Sequence, residues 1–150
     1  MDIPGLPARR AALRLLDAVL RRGETLDQAA HNAMQGIVSG PDRALTRALA
    51  AEALRWLVDL DALIDSATRQ PLPEDAKART VLRIMLAGWL RLDTPPHAEV
   101  AAGPPLLGGG PRRLWKPWPR AARGRGGAKK PARIKPCAIR RVRWAAWFPP

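Results

Sequence analysis

Asp42-Arg43-Ala44-Leu45-Thr46-Arg47-Ala48-Leu49-Ala50-Ala51-Glu52-Ala53-Leu54-Arg55-Trp56-Leu57-Val58-Asp59-Leu60-Asp61-Ala62-Leu63-Ile64 is the stretch whose reading decides the fold. At about 100° per residue, Leu45, Leu49, Ala53, Trp56, Leu60 and Leu63 fall on one side, while Leu54 and Leu57 point elsewhere. A helix whose second half is apolar most of the way round needs neighbours on several sides, so this reads as the central helix of a bundle. Glu52 interrupts the stripe and must reach a rim or a partner, because an unpaired buried carboxylate is costly. Trp56 is expected to be the largest single anchor. The stretch reads as one long helix that continues through Trp56-Leu57-Val58-Asp59-Leu60, or that kinks into a separate helix, ending near Arg69 before Pro71-Leu72-Pro73.

Towards the N-terminus, Ser39-Gly40-Pro41-Asp42 marks a break and a start, with Asp42 the expected N-cap. Before it, Thr25-Leu26-Asp27-Gln28 fits a capping box that opens a second helix, with Leu26, Ala30, Ala33 and Ile37 facing inward. His31 points away from that face, and nothing in the pattern offers it a second ligand or a nucleophile. A first helix is predicted from about Pro7 to Arg22, closed by Gly23. Ala12, Leu13, Leu16, Val19 and Leu20 form its inner face. Arg10, Arg14 and Arg21 line the opposite face with Asp17 among them, either as a solvated surface with local pairing or as a phosphate-contacting ridge.

Towards the C-terminus, Glu74 to Leu92 predicts a helix with Ala78, Val81, Leu82, Met85 and Trp89 on one stripe, packed on the central helix. Gly88 is placed to let another helix come close. Thr94-Pro95-Pro96-His97 stops it, and His97 to Ala102 begins a further helix that Gly103-Pro104-Pro105 is expected to cut short. No strand pattern and no internal repeat is visible, so the body is all-α.

Charge locates a composition change. The first hundred residues hold 13 Lys and Arg against 13 Asp and Glu, and the last fifty hold the other 13 basic residues and no acid. That last third also carries 9 of 16 prolines and 7 of 12 glycines, a composition that argues against a packed core. Residues 1–102 are therefore read as the helical domain and 103–150 as a basic Gly/Pro/Arg-rich tail, expected to be disordered. Cys137 stands alone, which excludes an intrachain disulfide framework and a cysteine zinc cluster. Met1-Asp2-Ile3-Pro4-Gly5 lacks the basic and apolar regions of a secretory signal. The apolar run from Ile84 to Leu90 is too short to span a bilayer. No membrane partner is expected.

Several segments together resemble a known family: a basic first helix, Asp42-Arg43-Ala44-Leu45, Ala53-Leu54-Arg55-Trp56, Leu60-Asp61-Ala62-Leu63-Ile64, Pro71-Leu72-Pro73 and Leu92-Asp93-Thr94-Pro95-Pro96-His97-Ala98-Glu99-Val100. Over roughly residues 7–114 the chain resembles the NusB-like RNA-binding domain, in the version that opens the RsmB-type ribosomal RNA cytosine-5 methyltransferases. The resemblance implies an all-α bundle of about seven helices, cytoplasmic, that binds RNA in antitermination or as the accessory domain of the methyltransferase. It also implies a ribosomal or transcription protein as a second kind of partner. The last helix departs from the family pattern at Trp115-Lys116-Pro117-Trp118-Pro119.

The family's methyl transfer uses cysteines in a separate domain. Pro136-Cys137 matches one dipeptide of it but not its surroundings, and no methyl-donor loop precedes it. No catalytic residue, metal or cofactor is expected here. Arg9, Arg10, Arg14, Arg43 and Arg47 are the candidate phosphate contacts, the first three because the resemblance marks the opening helix as RNA-facing and the others by outward placement. Arg123-Gly124-Arg125-Gly126-Gly127, with Trp115, Trp118, Trp144 and Trp147 for stacking, has the makings of a single-strand RNA-binding arm. The competing readings are a protein-interaction module, or an inactive fragment in which the chain leaves the ancestral frame after about Leu114.

Overall fold

A computed structural model describes residues 3–108 apart from Arg69. The expectations placed on residues 109–150, including Cys137 and the arginine-glycine arm, lie outside the described residues. The described residues form six α-helices and no strand: α1 (Leu6–Arg22), α2 (Leu26–Ala33), α3 (Gly40–Arg55), α4 (Leu57–Ala67), α5 (Lys77–Arg91) and α6 (Pro96–Leu107). No helix among them is long and apolar enough to cross a membrane.

Local chemistry sets most of the boundaries. Pro7 sits in the first turn of α1, and Gly23, at φ 68°, closes it with Arg21 and Arg22 in the last turn, where the helix dipole favours cations. The Thr25 hydroxyl accepts from the Gln28 amide and starts α2 as expected. For α3 the cap is Ser39 and not Asp42: the Ser39 hydroxyl accepts from the Asp42 amide at 3.3 Å. Pro41 has no N–H to satisfy and is tolerated in a first turn, which lets the helix begin earlier than Asp42. α5 begins at Lys77, so Glu74 and Asp75 precede it.

The central stretch is broken in two. Trp56, at φ −108° and ψ 19°, ends α3 and begins α4. α3 then packs on α1 and α5, while α4 lies against α5. The expected stripe holds for Leu49, Ala53, Leu60 and Leu63, all buried. Trp56 departs from expectation by lying half-buried at the rim; the largest fully buried side chains include Leu15, Leu16, Leu49, Ile84 and Met85. On α2 the buried residues are Ala29 and Ala33, whereas Leu26 is exposed.

Small residues bring α1 and α3 together. Ala8, Ala11 and Ala12 on α1 and Ala50 and Ala53 on α3 are fully buried, and the Thr46 hydroxyl reaches the Ala8 carbonyl at 3.2 Å. α6 overturns the expected stop: it runs on through Gly103, Pro104 and Pro105 to Leu107 and is closed by Gly108 at φ 68°. Proline's fixed φ suits a helix, and its penalty lies in the missing N–H and the crowding of the preceding turn. Burial of Ala102, Gly103 and Leu106, with Leu106 packed beside Val81 and Met85, offsets that penalty. Helix α6 thus continues five residues beyond residue 102.

Candidate nucleic-acid interface

Arginines carry most of the positive charge of the helical region, and their partners sort them into three groups. The first group is interior. Arg9 is 3% exposed and pairs with the fully buried Glu99 of α6, its Nε donating to Oε2 at 3.0 Å and its Nη2 to Oε1 at 2.5 Å. Its remaining nitrogen donates to the Gly5 carbonyl at 3.2 Å. Such a two-pronged pair supplies the charge compensation that a buried guanidinium needs.

Arg79 and Arg83 are buried on α5 and face Asp61 and Asp65 of α4. Arg83 grips both Asp61 oxygens, at 2.7 and 2.8 Å. Arg79 donates to Asp65 at 2.5 Å and to the Leu72 carbonyl, fastening the Pro71-Leu72-Pro73 turn. Burial works against the Arg79 cation, and the hydrogen bonds and charge of Asp65 and Asp61 outweigh it, holding its pKa above the ordinary arginine value.

A second group is paired nearer the surface. Glu52 collects Arg55, Arg91 (3.0 Å) and the Trp56 indole N–H (3.1 Å), and Arg91 lies 4.5 Å from the centre of the Trp56 ring. This is the partnership that the interrupted stripe required. Arg21 pairs with Asp17 and Arg22 with Glu24.

Arg10, Arg14, Arg43 and Arg47 remain. Each is exposed, and among the described residues none has a carboxylate within 4.0 Å. Arg10 and Arg14 stand one turn apart on α1, and Arg43 and Arg47 one turn apart on α3, the helix against which α1 packs. Arg14 also donates to the Ala33 carbonyl at the end of α2, at 3.0 Å.

The chain matches the NusB family over residues 6–103. It belongs to that family. This NusB-family chain is also 33% identical over 102 residues to the ribosomal RNA small subunit methyltransferase B of Xanthomonas campestris pv. campestris. The match takes in 65% of this chain and 23% of that relative, so the chain spans about a quarter of the relative's length. No solved structure matches it.

Set beside the sequence expectations, the NusB-family bundle leaves four of the five candidate arginines on its surface and takes Arg9 inside. A guanidinium sealed against Glu99 has no face to offer a phosphate, so Arg9 is a structural residue. Sequence reasoning passed over Arg79 and Arg83. A signal was available: Asp61 and Asp65 on one helix and Arg79 and Arg83 on the next repeat at the same one-turn spacing. Among the described residues no group of His, Cys, Asp and Glu is gathered as a metal site requires. His31 and His97 are both exposed.

Proposed function

We propose that this NusB-family domain binds RNA, of the ribosomal class its named relative acts on, and that it does so without catalysis by its helical region. The observation that carries the reading is the sorting of arginines: six carboxylates of the described residues hold seven arginines, and Arg10, Arg14, Arg43 and Arg47 remain exposed without one. Uncompensated guanidinium groups on adjoining helices are what phosphate contact needs, and such contacts position a protein on its RNA. The methyltransferase relative supports an accessory role beside a catalytic domain.

The test measures RNA affinity against salt with the full chain. Each phosphate contact contributes about 0.7 to 0.9 to the slope of log affinity against log salt. Replacing Arg10, Arg43 and Arg47 with Ala together should lower the slope by about 2, while Arg21→Ala, whose guanidinium already faces Asp17, should change it little. A triple variant with the parental slope overturns the reading and leaves a protein-interaction module in its place.

A further inference from the structure

The segment joining α2 to α3 carries an exposed apolar side chain between two helix ends that bear unpaired arginines. Met34 is buried and Ile37 half-buried, so the loop is anchored at two points, and the Ile37 amide donates to the Met34 carbonyl at 3.1 Å. Gly36, at φ 82°, makes the turn, and Ser39 caps α3. Between these fixed points Val38 is 95% exposed. Val38 is thus held outward by an ordered turn, the most exposed of the large apolar residues described.

The C-terminal end of α2 would be negative, but Arg14 donates to its Ala33 carbonyl and neutralises it. The N-terminal end of α3 is positive, and Arg43 and Arg47 follow on its exposed side. Asp42 lies in that same first turn and offsets the helix end, so the positive charge beside the loop is that of the arginines. Along the chain, Val38 thus lies between the end of α2 that Arg14 reaches and the first turns of α3 that carry Arg43 and Arg47.

We propose that the α2–α3 loop is the part of the basic surface that contacts bases, with Val38 packing against an unstacked base and Arg14, Arg43 and Arg47 holding the flanking phosphates. This rests on the RNA-binding reading and names its substrate class: RNA with a bulge or an unpaired base, as distinct from a continuous duplex. RNA bases splayed from a helix present apolar faces, and apolar side chains serve as wedges at unstacked base steps. A regular A-form stem has no opening for Val38.

The experiment compares the full chain with its Val38→Ala variant on two probes: a fully paired RNA hairpin stem, and the same stem carrying a one-nucleotide bulge. Val38 is solvent-exposed, so the variant should melt with the parent. The expected result is about a fivefold loss on the bulged stem, from the apolar contact removed, with no loss on the paired stem and an unchanged salt slope. Equal affinities of parent and variant on the bulged stem, or equal losses on both probes, overturn the base-contacting loop. The RNA-binding reading falls separately, through an unchanged salt slope in the Arg10, Arg43 and Arg47 variant.

Discussion

The Glu99 carboxylate occupies the space that a β-carbon on residue 88 would take: an alanine at Gly88 would overlap both Oε1 and the carboxyl carbon. Gly88 on α5 is thus the floor on which the Arg9–Glu99 pair is built, and α1, α5 and α6 meet there. Gly88→Ala should destabilise the domain by about 1–3 kcal/mol through overpacking. Gly40→Ala, where a β-carbon meets nothing within 4 Å, should be close to neutral. Urea unfolding of both variants checks the contrast, and equal midpoints would remove the close approach from the account.

Breaking the pair itself is expected to cost more. Glu99→Gln leaves the Arg9 guanidinium buried without a counter-charge, a change worth about 3–5 kcal/mol in comparable settings. A variant melting within a few degrees of the parent would mean that the pair does not hold α6 in place.

Trp56 should matter less than its size implies. As a half-buried rim residue, Trp56→Phe gives up its hydrogen bond to Glu52, a loss of about 1 kcal/mol, and keeps most of its packing. Leu49→Ala, at a fully buried position, should cost about 2–5 kcal/mol. Thermal melts that reverse this order would return Trp56 to the core.

α6 carries its own imperfection. Pro104 is exposed inside the helix and cannot donate to the Val100 carbonyl. Pro104→Ala restores that donor and should raise stability, by up to about 3 kcal/mol. The same helix gives the domain boundary a test: a chain ending at Gly108 should melt like the parent, whereas one ending at Ala102 loses the buried Leu106 and should melt lower.

The tail has a test in the gene. Trp is read from TGG alone, so Trp115-Lys116-Pro117-Trp118 is TGG-AAR-CCN-TGG, and a register one nucleotide earlier, with a G closing the Leu114 codon, reads Val-Glu, then Ala or Thr, then Val, Leu or Met. That register is expected to stay open and continue with methyltransferase-type sequence. Early stop codons there would favour the arginine-glycine arm as a native RNA-binding segment.

What could be read without coordinates was local. Gly23, Thr25 and the Leu49, Ala53, Leu60, Leu63 stripe declare themselves through spacing and backbone preference. Arg9 could not, because its partner lies ninety residues away, and an arginine on a helix facing water looks no different from one facing Glu99. Pro104 and Pro105 misled for a related reason: their local cost is visible in sequence, while the burial of Leu106 that offsets it is not. Gly88 was legible as a place of close approach, although what approaches is a carboxylate and not a helix backbone. For the interface, the outward arginines of α1 and α3 were legible, but which of them lacked a carboxylate depended on the tertiary pairing.

The Arg9–Glu99 pair also bears on how the domain is made. Residue 9 leaves the ribosome well before residue 99, so until α6 emerges the cation of α1 has no counter-charge and the site beneath it is unfinished. α1, α2 and α3 can associate early through Ala8 and Thr46, but the interior seals when α6 arrives and delivers its carboxylate over Gly88. Until then the nascent chain must keep that end of α1 in water, so completion of this bundle waits for the emergence of α6.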